Sequence, residues 1–282
     1  MGKKLLAMDL DGTAVCDDYS MGPESKLALL EARQAGHVAA FVTGRRDVDM
    51  LSMGQDQWCV DYQILNTGGK ILRCADRKVL HNALIPPEAC YRLITHCMNE
   101  DLQLQVCSGM LWQVTKLSDG TLAYADQLGI LPQLVRAPDD IPWQEGLEGF
   151  MATQDMAPVA KYIDEKVPEV YYVNSEPGTI DIMPRGATKW HGICLLADML
   201  GIAREDIITV GNYYNDMDML REAPTGIAVA NALEPVKRIA DFVTERDNNH
   251  EAVAEIIRNM LQGMYDLPHK GCKLSPTGEH NI

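Results

Sequence analysis

What most limits the folds open to this chain stands at its start, in Leu5-Leu6-Ala7-Met8-Asp9-Leu10-Asp11-Gly12-Thr13. An unbroken apolar run with turn residues after it suits a strand buried on both faces. Residues two apart on a strand point the same way, so a strand from Lys4 to Leu10 delivers Asp9 and Asp11 together at its carboxyl end. Two carboxylates so close repel unless a cation or a shared proton lies between them. The plainer alternative is a strand closed by an Asp-Gly turn.

The following segments alternate. A polar loop from Cys16 to Ser20 leads to a helix opened by Pro23-Glu24, carrying Leu27, Leu30 and Ala35 and stopped by Gly36. Val38 to Val42 reads as a strand running into Thr43-Gly44-Arg45, with a helix carrying Val48 and Leu51 expected next. Tyr62 to Leu65 reads as a third strand ending in Asn66-Thr67-Gly68-Gly69, before a hairpin of Lys70 to Cys74 with Lys78 to Leu80. Strand and helix in turn are the grammar of a parallel sheet.

Near Leu84 the rhythm breaks. A helix from about Glu88 to Asn99 leads to strands at Leu102 to Cys107 and Leu111 to Lys116, then a helix from about Gly120 to Leu128. Pro- and acid-rich loops precede a strand at Phe150 to Thr153, a helix at Pro158 to Lys166, and paired strands at Val170 to Asn174 and Thr179 to Met183. From Thr188 the alternation returns: helix Trp190 to Leu200, strand Ile207 to Val210, helix Met217 to Glu222, strand Thr225 to Val229, helix Leu233 to Ile239, strand Phe242-Val243 and helix Ala252 to Leu261. The expected architecture is α/β: a Rossmann-like parallel-sheet core from residues 1–83 and 188–262, an inserted α+β cap over 84–187, and a loosely packed tail over 263–282.

The bulk properties exclude some partners. With 282 residues, 46% of them hydrophobic, the chain can fill two cores. A formal net charge of -15 argues against electrostatic binding to nucleic acid or an anionic membrane, while leaving a small anionic substrate open to a local cation. The 8 cysteines are scattered without a Cys-x-x-Cys pair, as free thiols in a reducing compartment would be. No stretch is long enough for a membrane span, and Asp9 interrupts any signal-peptide core, so a cytoplasmic location is expected.

Four stretches fall past the carboxyl ends of expected strands or at a helix start: Asp9 to Thr13, Thr43-Gly44-Arg45, Thr188-Lys189 and Gly211 to Asp216. Open parallel sheets bind ligands at those ends. Their order, with the insertion between the second and third, resembles the four motifs of the haloacid-dehalogenase-like phosphatase superfamily with a type IIB cap. In detail the chain is similar to the Cof-type sugar-phosphatase-like proteins, through Asn66-Thr67-Gly68-Gly69-Lys70-Ile71, Ile180 to Lys189, and Asn248 to Ala254.

The resemblance implies roles. Asp9 attacks phosphorus in line and forms an aspartyl-phosphate, and Asp11 protonates the leaving oxygen and then activates water. Thr43, Gly44 and Lys189 hold the phosphate, with Gly12, Thr13, Asn215 and Arg45 in support. Mg²⁺ takes the Asp9 carboxylate, the Asp11 main-chain carbonyl, and residues 212 and 216, letting an anion approach an anion. Read without the resemblance, Thr43 is equally an N-cap hydroxyl, and Lys189 a solvated lysine at a helix start, where the dipole disfavours it. Arg45 and Arg46 could reach phosphate, but read more plainly as solvated first-turn arginines; Asp218 reads as a residue of an exposed helix face, His191 as packing before ligand, and Trp112, Trp143, Tyr171 and Tyr172 could line a substrate pocket but read for the most part as cap core. The fourth motif departs from the family: Gly211-Asn212-Tyr213-Tyr214-Asn215-Asp216 has Asn212 where a carboxylate metal ligand belongs, and an amide oxygen brings no charge. The implied function is Mg²⁺-dependent hydrolysis of a small phosphomonoester, a sugar phosphate or related metabolite, by a monomer or homodimer. A phosphomutase on the same scaffold and a non-catalytic phosphate-ligand binder are the rivals.

Overall fold

In the computed structural model, which describes residues 2–176 and 178–266, the N-terminal apolar run forms β1 (Leu5–Met8), with every side chain buried. Then come α1 (Pro23–Gln34), β2 (Val38–Val42), β3 (Tyr62–Leu65), and the hairpin β4 (Lys70–Arg73) and β5 (Lys78–Asn82). The middle of the chain supplies α2 (Pro87–Asn99), β6 (Gln105–Ser108), β7 (Leu111–Val114), α3 (Asp119–Leu128), β8 (Gln133–Leu134), β9 (Gly149–Ala152), α4 (Met156–Lys166), β10 (Val170–Glu176) and β11 (Thr179–Pro184). The chain returns through α5 (Lys189–Leu200), β12 (Ile207–Gly211), α6 (Met217–Glu222), β13 (Thr225–Ala228), α7 (Glu234–Ile239), β14 (Phe242–Val243) and α8 (Ala252–Leu261).

Two sheets result. The larger runs β14-β13-β12-β1-β2-β3-β4-β5, parallel from β14 to β3 and antiparallel through the hairpin. In it β1 lies between β2 and β12, with Met8 opposite Phe41 on one side and Val210 on the other. The smaller sheet, β10-β11-β9-β6-β7-β8, is antiparallel apart from its β7–β8 edge. Each has its own apolar core. One joins residues of β1, β2 and β3 to those of α5, β12 and α8, and the other lies wholly between Ile85 and Ile182. Leu5, Leu6 and Met8 are at most 1% exposed, and burying such a side chain contributes about 1.5–3 kcal/mol. The α/β core with an inserted α+β region agrees with the expectation.

Local departures have local causes. β1 stops at Met8 rather than Leu10, because Leu10–Ala14 turns through Gly12 at φ +67. The helix expected after Arg45 is instead a run of 3-10 turns, Asp49–Trp58, broken at Gly54 with φ +53. There the Asp49 carboxylate accepts the Arg46 backbone N–H at 3.0 Å, a local bond that competes with a helical ladder. Leu102 to Leu104 stay outside β6, since the Gln103 and Leu104 amides donate to the side chains of Asp155 and Thr115.

The two sheets meet at a buried polar junction. Lys70 Nζ lies 2.8 Å from both Asp47 and Glu148, and Glu148 also accepts from Asn66, Asn82 and the Gly109 N–H. Cys16, Cys59, Cys74, Cys90, Cys97, Cys107 and Cys194 are free thiols, whereas Cys272 lies outside the described residues, as does the expected tail from residue 267 on. Among the described residues, no helix is long and apolar enough to cross a membrane.

Candidate active site

The carboxyl end of β1 sets the site. Asp9 is 5% exposed, and its backbone N–H donates to Val210 O at 2.8 Å. The next turn needs Gly12: its φ is positive, and a Cβ there would sit 2.4 Å from the Asn212 amide nitrogen. That close approach lays the first motif against the fourth.

Lys189 arrives from the far side. Thr188 caps α5 by accepting the His191 N–H at 3.1 Å, which places Lys189 in the first turn. Gly68, at φ +101, lets the loop after β3 press on this cap, where a Cβ would come within 2.0 Å of Thr188 O. Lys189 is fully buried and donates to Asp9 Oδ1 and Asp216 Oδ1, each at 2.6 Å. It is no solvated lysine. Asp216 is buried as well, and its Oδ2 accepts the backbone N–H groups of Asn212 at 2.8 Å and Tyr213 at 3.0 Å.

One lysine shared by two buried carboxylates leaves a negative charge over. Burial, then the Asp216 charge, raise the proton affinity of Asp9 above the usual carboxylate range despite Lys189. Burial works to lower the Lys189 ammonium, but Asp216 and Asp9 outweigh it and hold it well above its ordinary value.

The remaining expected residues line or flank one cavity of about 810 Å³ between the two sheets, bordered by Asp9, Asp11, Gly12, Thr43, Gly44, Arg45, Asn212 and Asn215. Thr43 is 2% exposed; its hydroxyl oxygen accepts the Arg45 N–H at 3.0 Å, which leaves its O–H to donate. Gly44 keeps the cavity wall thin, since a Cβ would lie 3.0 Å from Asp181 Oδ2. Thr13 is buried, with its hydroxyl unpartnered among the described residues. Arg45 points at Asp11: its Nε and Nη2 grip the Asp11 carboxylate at 2.8 and 2.6 Å, while its guanidinium lies 4.6 Å from the Tyr19 ring centre. Asp9 and Asp11 therefore face different cations.

A divalent cation fits the oxygens present. Asn212 Oδ1 is buried without a hydrogen-bond partner among the described residues, and Lys189 occupies only Oδ1 of Asp9. Both are hard oxygen donors suited to Mg²⁺, and the surplus negative charge favours one. Asp216, expected among the ligands, has its oxygens engaged by Lys189 and two main-chain amides. Among the described residues, no group of three or more His, Cys, Asp and Glu side chains could hold a metal.

Several residues were not legible as site components. Arg46, expected in solvent, is 4% exposed: Asp49 binds it at 2.5 Å, and its Nη1 reaches Cys107 Sγ at 2.5 Å. Tyr124, on α3, donates to Asp49 at 3.0 Å and borders the cavity. Asp218 is not on an exposed helix face; its Oδ2 accepts the Trp190 N–H at 3.1 Å, and burial raises its proton affinity. An acidic residue near a helix N-terminus was the available signal for that contact. Trp112 packs in the cap as expected, and Tyr171 donates to Ala187 O. The Asn248 stretch braces the first motif, its Nδ2 donating to Val15 O at 3.1 Å.

Comparison with known proteins gives the family. A family model described as haloacid dehalogenase-like hydrolase matches residues 6–257. Phosphatase YwpJ of Bacillus subtilis is 24% identical, covering 92% of this chain and 100% of its own. The 5-amino-6-(5-phospho-D-ribitylamino)uracil phosphatase YcsE of the same organism is 25% identical, over 92% of this chain and 96% of its own. A haloacid dehalogenase-like hydrolase from Bacteroides thetaiotaomicron superposes with a TM-score of 0.80 at 22% identity, over 92% of this chain and 100% of that one.

Proposed function

Since the chain belongs to the haloacid dehalogenase-like hydrolases, we propose that it falls in their Cof-type, IIB-capped branch and hydrolyses a small phosphomonoester with Asp9 as the nucleophile. The observation that carries this reading is Lys189, buried between Asp9 and Asp216 at 2.6 Å from each. Such a lysine neutralises and aims the Asp9 carboxylate, and it stands where charge builds on a transferring phosphoryl group.

In this reading Thr43 donates its hydroxyl to a phosphoryl oxygen, and the bare backbone at Gly44 admits another. Asp9 attacks phosphorus, the leaving oxygen departs with a proton from Asp11, and an aspartyl-phosphate results. Asp11 then takes a proton from water, which attacks phosphorus and frees Asp9. For this, Asp11 exchanges its Arg45 partner for substrate. Mg²⁺, held by Asp9, Asn212 and the Asp11 carbonyl, would supply the charge neutralisation that lets an anion approach a phosphate. Asp216 holds Lys189 in place.

The relatives' activities support a phosphorylated small metabolite as substrate, a sugar phosphate or kindred ester. Asn212 is the specific observation that favours a rival, a phosphate-ligand binder with little turnover. The deciding experiment is release of inorganic phosphate from a panel of phosphomonoesters with Mg²⁺ and with EDTA. Turnover that needs Mg²⁺ and falls by at least about 10⁴-fold in Asp9→Asn is expected, by analogy with loss of other nucleophiles. Equal turnover by Asp9→Asn would remove Asp9 from the chemistry, and phosphate binding without turnover would favour the binder.

A further inference from the structure

The side chain of Asp11 is 47% exposed, against 7% for that of Asp9. A carboxylate so open is free to turn toward water unless something holds it at the cavity. Among the described residues, Arg45 is the partner of that carboxylate, so whatever fixes Arg45 also fixes where Asp11 waits. The guanidinium is held along its edges: Nε and Nη2 take Asp11, while Nη1 donates to Asp49 O at 3.0 Å and to Ser52 Oγ at 2.5 Å. One flat face is covered by Tyr19, whose ring centre lies 4.6 Å from Arg45 Cζ. The quadrupole of an aromatic face attracts a cation, and more strongly where water is excluded.

The loop that carries Tyr19 is built to present it. Tyr19 has φ +64, in the left-handed region that a bulky side chain rarely adopts, and its N–H donates to Cys16 O at 2.9 Å. Around it the Cys16 N–H donates to Ser20 O at 2.9 Å, and the Asp18 carboxylate accepts the Ser20 N–H at 2.9 Å and the Ser20 hydroxyl at 2.5 Å. From the other end of the chain, Asn248 and Asn249 donate their side-chain amides to the Asp17 carboxylate, each at 3.0 Å. Backbone strain persists only where the surroundings over-determine it, and it collects at functional sites. Its result here is a ring on the border of the cavity, lying against the cation that grips Asp11.

Resting on the phosphatase reading above, we propose that Tyr19 is a positioning residue for Asp11, acting through Arg45: the ring fixes the guanidinium, and the guanidinium keeps the acid at the cavity until the leaving oxygen arrives. Neither Tyr19 nor Arg45 is asked to touch the reacting atoms. The proton passes from Asp11 to the leaving oxygen, so the effect of the stack shows only where that oxygen needs a proton. The anion of p-nitrophenol is stable at neutral pH and departs without one. Phenol gains from protonation, and a sugar alkoxide depends on it.

The test is kcat/KM with Mg²⁺ for p-nitrophenyl phosphate, phenyl phosphate and glucose 6-phosphate, in the wild type, Tyr19→Phe and Tyr19→Leu. This constant reports the steps up to departure of the leaving group, and its ratio between esters within one variant is independent of how much of that variant is folded. Tyr19→Leu keeps apolar bulk and loses the ring. It is expected to lower kcat/KM by about 5–30-fold on glucose 6-phosphate, the span that a cation–π contact shielded from water covers, and by less than about twofold on p-nitrophenyl phosphate. Phenyl phosphate should fall between them, and where the wild type spares glucose 6-phosphate the two aryl esters decide. Tyr19→Phe, which keeps the ring, should follow the wild type on all three. Equal losses across the esters, a larger loss on p-nitrophenyl phosphate, no loss in Tyr19→Leu, or a Tyr19→Phe variant that behaves as Tyr19→Leu would overturn the assignment while leaving the phosphatase reading intact. Absence of turnover with every ester would remove the phosphatase reading, and the assignment with it.

Discussion

Replacing Lys189 by methionine keeps the unbranched stem and removes the charge. The wild-type ammonium lies 2.6 Å from two carboxylates whose side chains are 7% and 0% exposed, so neither can turn to water. Breaking a buried pair from one side costs about 3–5 kcal/mol, because an uncompensated charge stays behind. Here two would remain, and the folded protein relieves them by keeping a proton on one carboxyl. Asp9 already leans that way in the wild type, pushed up by burial and by Asp216. A carboxyl whose folded proton affinity exceeds its unfolded value makes the folded state bind more protons, so stability falls as pH rises. The penalty in Lys189→Met is thus full above the raised folded pKa and shrinks as pH drops through it toward the ordinary carboxylate range. Urea unfolding in EDTA at pH 8 and pH 5 measures this. The expected result is a loss of about 3–5 kcal/mol at pH 8 that narrows by at least about 1.4 kcal/mol at pH 5, one pKa unit's worth. A loss below about 1 kcal/mol at pH 8, or the same loss at both, would refute the account of Lys189 as the counter-charge of two desolvated acids.

Two further outcomes follow from the same geometry. Asn212→Asp adds the charge that the amide lacks and should tighten Mg²⁺ by about 10–100-fold in calorimetric titration, the scale on which groups around a metal act; unchanged affinity would remove residue 212 from the metal site. Gly68→Ala meets both a positive φ and the Thr188 carbonyl, whereas Gly36→Ala meets a positive φ in open space. Thermal and urea unfolding should place the first at about 2–5 kcal/mol and the second at about 1–2 kcal/mol; equal costs would mean that the Gly68 contact yields.

How much of this was legible in the sequence depended on whether a signal was local. β1, the hairpin of β4 and β5, and α2, α5 and α8 announce themselves through apolar period and stop signals, and they lie within a few residues of expectation. The run after Arg45 carried helical spacing at Val48 and Leu51, yet the bond from Asp49 to the Arg46 amide and the reversed turn at Gly54 outweighed it. At the site, the loops bearing Asp9, Thr43, Lys189 and Asn212 could be placed at strand ends, because parallel sheets put loops there. Their partners could not. Nothing near Asp11 in the chain points to Arg45, nor near Arg46 to Cys107, because these contacts join residues brought together only by packing. Asp216 shows the same limit: its contact with the buried Lys189 ammonium, 27 positions upstream, forms only through packing.

The place of β1 between β2 and β12 has a consequence for synthesis on the ribosome. The strand leading to Asp9 emerges well before the neighbour on one of its flanks, Ile207–Gly211. Until then a nascent chain holds an apolar strand with an open edge, the kind of surface that chaperones shield and that misassociates when they do not. The middle segment, whose apolar cluster is contiguous in sequence, can meanwhile condense around its own core. A truncated product ending before Ile207 should therefore contain a settled inner module joined to an unsatisfied strand.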